Sequence, residues 1–300
     1  MAKQASKSRY IDLTTDFGFK RVFGTEPNKD LLKAFLNEVF RGRKEIVDLV
    51  YNKNEHVGDI EEIGSVIFDL TCTADNGEKF IIEVQRSAQV NFIKRTLYYG
   101  SKLITDQAPK GRRKEWGYGI SEVYVIVLMD GFAMPDGDDG TSYLHDICLC
   151  NRDTGKVFYD DLGFIYLELV NFVKEESELG SYLDGWLFVL KNMGRLDRIP
   201  LYLRKPIFEK LFDIAEYSKL STEEKEMYDT SLKQKWDNTN ALAYARQEGE
   251  VKGLEKGRQE ERAKAEAEKL DIAREMKKDG LPIVQIAKFT KLSIEVIEKL

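Results

Sequence analysis

Residues 65–85 constrain the fold more than any other stretch. Two β-rich runs lie on either side of Asp75-Asn76-Gly77, and each apolar run is interrupted by one carboxylate, Asp69 in FDLT and Glu83 in IIEVQ. Period-two alternation puts Glu83 and Gln85 on one face of the second run, with Phe80, Ile82 and Val84 on the other. The turn decides where Asp69 points. A two-residue Asn76-Gly77 turn would set Asp69 opposite Val84. A three-residue Asp75-Asn76-Gly77 loop with a left-handed Gly77 and a bulge sets it opposite Glu83. We expect the second, because glycine is the residue that the third loop position favours.

Directly opposed residues have β-carbons about 4.5–5.5 Å apart, close enough for two carboxylates to repel unless a cation lies between them. Mg²⁺ binds through one or two carboxylates and keeps several waters. Asp69, Glu83 and the main-chain carbonyl of Val84 are therefore the expected metal ligands. The competing explanation is that the two acids pair with arginines or cap the sheet.

The flanking pattern predicts a helix over 15–23, capped by Thr14 or Thr15, and a second over 30–40 with one apolar face. Short strands follow at 46–51, 65–73 and 79–85. A helix over 88–105 then leads through a basic loop, 110–114, into a buried strand at 122–129. A helix between two strands in this order signals a parallel crossover. Further strands are expected at 143–150 and 164–170, with helices including 186–190 and 207–217. These elements describe an α/β chain, a mixed central sheet flanked by helices. The expected divisions are 1–225 for this core, 226–270 for a long charged helix or linker, and 271–300 for a small helical, helix-turn-helix-like tail. In the charged segment Ala241, Ala245, Gly249, Gly253 and Gly257 recur every four residues, a stripe suited to close helix approach or to a flexible connector. We expect homo-oligomer contacts through these C-terminal helices, since the last helix, IEVIEKL, offers little that reads base edges.

Composition narrows the chemistry. The two histidines, His56 and His145, are far apart, so hydrolysis would have to be run by carboxylates. The net charge of −6 confines any contact with a polyanion to a local patch. The three cysteines, Cys72, Cys148 and Cys150, fit neither a disulfide framework nor a four-ligand zinc site, and Cys148 and Cys150 are expected to be core or surface thiols. With no apolar run of membrane-spanning length, a soluble protein of the reducing cytoplasm is expected.

The ordered blocks TDFGFKRVFG, KDLLKAFLNEVF, FDLTCTADNGEKFIIEVQRS, FIKRTLYYGSKL, VYVIVLMD and FIYLELVNF span most of residues 11–190. In this order they resemble the recombination-promoting nuclease and transposase family, a bacterial branch of the PD-(D/E)xK nuclease superfamily. The resemblance implies a restriction-endonuclease-like core with a C-terminal all-helical extension. It also implies Mg²⁺- or Mn²⁺-dependent cleavage of DNA with low sequence specificity, in recombination or transposition. Asp69 and Glu83 become catalytic metal ligands. Gln85 occupies the motif position usually held by lysine and cannot act as a base. Lys20, one turn after Asp16 on the first helix, is a bottom-up substitute that would orient water or steady the phosphate, with Asp16 in the outer shell of the ion. Arg86, Lys94, Arg95, Lys110, Arg112, Arg113 and Lys114 are the candidate phosphate contacts. The rival class is a catalytically weak or inactive nuclease-fold module that binds DNA or a protein partner.

Overall fold

A computed structural model of the protein describes residues 8–52, 55–56, 66–67, 69–109, 117–134 and 142–300. The opening helix α1, Asp16–Phe23, starts where Thr15 accepts a hydrogen bond from the Gly18 N–H at 3.0 Å. A β-carbon on Gly18 would lie 2.2 Å from the carbonyl oxygen of Asp12, so the chain enters α1 in a turn only glycine tolerates. Helix α2, Lys29–Val39, buries Leu31, Leu32, Phe35, Leu36 and Val39, the apolar face its spacing predicts.

The strand β1 is Leu49–Tyr51, shorter than its apolar run. Asn37 of α2 captures both main-chain groups of Ile46, accepting from its N–H at 2.7 Å and donating to its oxygen at 3.1 Å. Those groups are then unavailable to a ladder. A small separate ladder pairs β2, Glu55–His56, with β3, Val66–Ile67. Strands β4, Leu70–Ala74, and β5, Lys79–Gln85, form the central hairpin. Leu70 pairs with Ile82 and Thr73 with Lys79, and the Ala74 N–H reaches the Glu78 carbonyl at 2.8 Å. Three residues thus make the loop, with Gly77 at φ +92°.

Helix α3, Phe92–Thr105, crosses to β6, Val123–Met129, which pairs with β5 in parallel. Beyond it lie β7, Leu144–Cys150, and β8, Val157–Glu168, giving a six-stranded mixed sheet in the order β1-β4-β5-β6-β8-β7. The N-terminal half of β8 extends past the apolar run that identifies it in the sequence, pairing with β7 as an exposed ribbon. On that ribbon Cys148 and Cys150 have sulfurs 3.8 Å apart, as half-exposed and exposed thiols.

Each sheet face has its own core. Phe80 and Ile82 face a large apolar layer built with α1, α2, α4 (Tyr182–Asn192) and α5 (Pro206–Ala215), with Trp186 at its centre. Ile81, Val125, Val127 and Phe164 face Phe92 and Leu103 of α3. Gly100 allows α3 to lie against Phe164, whose ring a β-carbon would approach to 3.3 Å.

Residues 1–237 form one compact unit and 238–300 a second. Helix α6, Thr222–Lys278, begins in the first. There Tyr228, Ser231 and Lys235 bond to Asp12, Phe17 and again Asp12. In the second unit Ala273 packs with Ile286 of α7, Ile283–Thr290, and Ile297 of α8, Ile294–Glu298. Gly280, at φ +80°, ends the long helix, and Ser293 caps α8. A β-carbon at Gly249, Gly253 or Gly257 would meet open space among the described residues. No helix among the described residues is long and apolar enough to cross a membrane.

Candidate active site

The hairpin register, continued one step past Leu70↔Ile82, sets Asp69 opposite Glu83 on the α3 face of the sheet. The two acids are locked by their strands rather than by side-chain partners alone. The Val84 N–H donates to Asp69 Oδ2 at 2.7 Å, and the Asp69 N–H reaches Glu83 Oε1 at 3.4 Å. Lys79 and Gln85 spend main-chain groups on the β6 side, bonding to Glu122 and Asp130. By alternation the main-chain groups of Val84 face the β4 side, where the ladder has ended. Its carbonyl therefore lies on the same side as the Asp69 carboxylate.

Burial raises the proton affinity of both acids. Glu83 is pushed up to about 8, first by burial and then by the charge of Asp69. Asp69 is raised by burial, against the opposing pull of the Val84 N–H. Two half-buried carboxylates that disfavour their own charge suit a site completed by a hard cation, which removes the repulsion. Among the described residues no cluster of three or more His, Cys, Asp or Glu side chains is placed to hold a metal. Two carboxylates and a carbonyl with water completing the shell remain a suitable set for Mg²⁺ or Mn²⁺.

Three cations converge on this pair. Lys20 acts on both carboxylates, Arg86 on Asp69, and Arg95 on Glu83. Lys20 is paired with Asp16 at 2.8 Å, and the two side chains are 41% and 50% exposed, so their mutual attraction is weak and solvent reaches both. Arg86 donates to the Thr14 oxygen at 2.6 Å, tying the end of β5 to the entry of α1. Gln85 is buried; its Nε2 donates to the Ser87 oxygen at 2.8 Å, and its Oε1 accepts from Arg95. Lys94 is exposed on α3. Lys110, Arg112, Arg113 and Lys114 lie outside the described residues.

Two features were not evident from local pattern. Tyr99, one turn after Arg95, senses the charges of Glu83 and Asp69 and lies 5.8 Å from the Arg95 guanidinium carbon. Their i, i+4 spacing on a helix following directly from β5 is the available sequence signal. Behind Arg86, Lys235 is bonded to Asp12 at 2.9 Å, to Asp130 at 2.8 Å, and to Thr14. Thr14 itself donates to Asp130 at 2.7 Å. Nothing local announces this cluster, since its members are brought together from the start of the chain, the end of β6 and α6.

A cavity of about 860 Å³ between α1 and the first turns of α6 also includes Asp16 and Lys20. Its wall carries Glu223, Glu224 and Glu226, which disfavours a polyanion there.

No curated protein and no solved structure matches the chain. The sequence pattern of the PD-(D/E)XK nuclease family transposases matches residues 13–245, from the entry of α1 into α6. Since that match covers more than half of the chain, the protein belongs to the PD-(D/E)XK nuclease family transposases.

Proposed function

We propose that the protein is an endodeoxyribonuclease that hydrolyses DNA phosphodiester bonds with low sequence specificity, in recombination or transposition. The observation that carries this is the pairing of Asp69 and Glu83 across the β4–β5 hairpin, both half-buried and both raised in proton affinity. Asp69, Glu83 and the Val84 carbonyl would hold a Mg²⁺ or Mn²⁺ ion. Such an ion supplies Lewis-acid polarisation of the phosphate and a bound water of lowered pKa. Lys20 and Asp16, exposed at the site's edge, orient that water and the incoming phosphate. Arg86 and Lys94 contact the DNA backbone, as does the 110–114 loop, and such contacts position a duplex without reading its sequence. The C-terminal helices join copies of the chain rather than reading DNA. The nuclease core ends near residue 225, with the charged helix and the 271–300 tail as its appendage.

The test is cleavage of supercoiled plasmid with Mg²⁺, Mn²⁺ or chelator by the native protein and by Asp69→Asn, Glu83→Gln and Lys20→Ala. Metal-dependent nicking that disappears in the first two variants is the expected result. A second reading is favoured by Gln85, whose amide stands at the motif's lysine position and bonds to Ser87 and Arg95. In that reading the fold binds DNA or a protein without cutting, and retained DNA binding with no cleavage under any metal would select it.

A further inference from the structure

Arg95 lies in the first turn of α3, beside the end of β5, and both of its terminal nitrogens are spent on neutral amides. Nη2 donates to Gln85 Oε1 and Nη1 to Gln89 Oε1 at 2.5 Å. Gln85 is itself immobilised by burial and by its bond to Ser87. The guanidinium is therefore held by the buried Gln85 and the exposed Gln89 without either amide neutralising its charge. Of its other N–H donors, the one on Nε is buried and has no acceptor among the described residues. A buried donor without an acceptor is costly, so a third partner is expected at this position. Gln85, which holds the guanidinium, follows Glu83 by two residues on β5, so Arg95 sits on the strand face that carries this carboxylate. Lys20 differs, because its ammonium is half exposed and already paired with Asp16.

We propose that Arg95 is a catalytic residue whose Nε donates to a non-bridging oxygen of the phosphate being hydrolysed, with Gln85 and Gln89 as the positioning residues that aim it. The proposal rests on the nuclease reading and deepens it. In the reaction the oxygen of water bonds to phosphorus, the bond from phosphorus to the leaving sugar oxygen breaks, and a proton ends on that oxygen. Negative charge builds on the non-bridging oxygens as this happens, and a donor already in place there stabilises it without reorganising. Arginine suits the task, since its planar fork can keep two amide partners while presenting a third N–H to phosphate.

The experiment compares native protein, Arg95→Met, Arg95→Lys, Gln85→Met and the Arg95→Met/Gln85→Met double variant. Single-turnover plasmid nicking is measured with Mn²⁺, alongside Mn²⁺ affinity, thermal midpoint and binding of a labelled duplex in Ca²⁺. Arg95→Met is expected to slow nicking by about 10²–10³-fold, the loss typical of one transition-state donor. Its Mn²⁺ and duplex affinities should stay within about threefold, the signature of an interaction made in the transition state rather than the ground state. Arg95→Lys should recover part of the rate. Gln85→Met should slow nicking, and the double variant should be no slower than Arg95→Met, because Gln85 acts through Arg95. Nicking by Arg95→Met at the native rate would overturn the proposal, as would a loss matched by a fallen midpoint and weakened Mn²⁺ binding. Native protein that binds Mn²⁺ through Asp69 and Glu83 yet cuts nothing overturns the role of Arg95 and leaves the metal site standing. Native protein that neither binds Mn²⁺ nor cuts overturns both.

Discussion

Replacing Glu83 by Gln should make the metal-free protein more stable, increasingly so as the pH rises. Burial and the charge of Asp69 raise the Glu83 carboxyl from an ordinary 4.5 to about 8. Between those values the folded chain holds a proton that the unfolded chain has released. Stability therefore falls with pH, because the native state binds more protons than the unfolded one. The contribution is fully present below about pH 4.5 and lost as pH climbs through 8. A displacement of three to four units sets a ceiling of about 5 kcal/mol, at roughly 1.4 kcal/mol per unit. Coupling to Asp69 lowers what one substitution recovers, so about 2–3 kcal/mol at pH 8.5 is expected. At roughly 2–4 °C per kcal/mol this is a rise of about 5–10 °C in thermal midpoint. The measurement is urea unfolding of native protein and Glu83→Gln in chelator from pH 5 to pH 9. The difference between the two curves is the observable, since other titrating groups are common to both. Adding Mn²⁺ should reverse the order at high pH, because the ion needs the ionised carboxylates and stabilises only the form that binds it. A difference that does not change with pH, or one that favours the native protein as pH rises in chelator, would refute the reasoning.

Four other outcomes follow from particular positions. Lys44 bonds to the buried Glu78 at 2.8 Å and to Glu122 near the start of β6, so Lys44→Met should cost about 3–5 kcal/mol in urea unfolding by leaving a buried acid unpaired. The half-exposed i, i+4 pair Lys102–Asp106 should be worth about 1 kcal/mol or less in the same assay. Lys235→Met leaves Asp12 and Asp130 without their shared cation, and hydrogen exchange across residues 12–20 should rise several-fold while residues 80–84 stay protected. Gly253→Ala should raise helical content and gain about 1 kcal/mol if that stretch of α6 is solvated. A fall in oligomer mass by light scattering in the same variant would instead mark the glycine stripe as a contact between copies.

Much of the core was legible because its signals are local. The apolar face of α2, the continuous burial of β6 and the third-position glycine of the β4–β5 loop each follow from a few adjacent residues. The register that opposes Asp69 and Glu83 comes from that loop alone. Element ends were less legible where a side chain elsewhere took over main-chain groups, as Asn37 does at Ile46. The exposed half of β8, VFYDDL, was less legible because it carries no apolar alternation.

The amino-acid order alone determined the α/β class, the crossover and the pair of acids on adjacent strands, since hydrophobic period and turn chemistry are properties of neighbouring residues. Tertiary structure decided which cations meet those acids. Lys20 arrives from α1, Arg95 from α3, and Arg86 is anchored through Thr14 to a cluster completed by Lys235 of α6. The physical reason is that charge acts through space: the partners of a buried carboxylate are set by how helices close over a sheet, and sequence separation carries no trace of it.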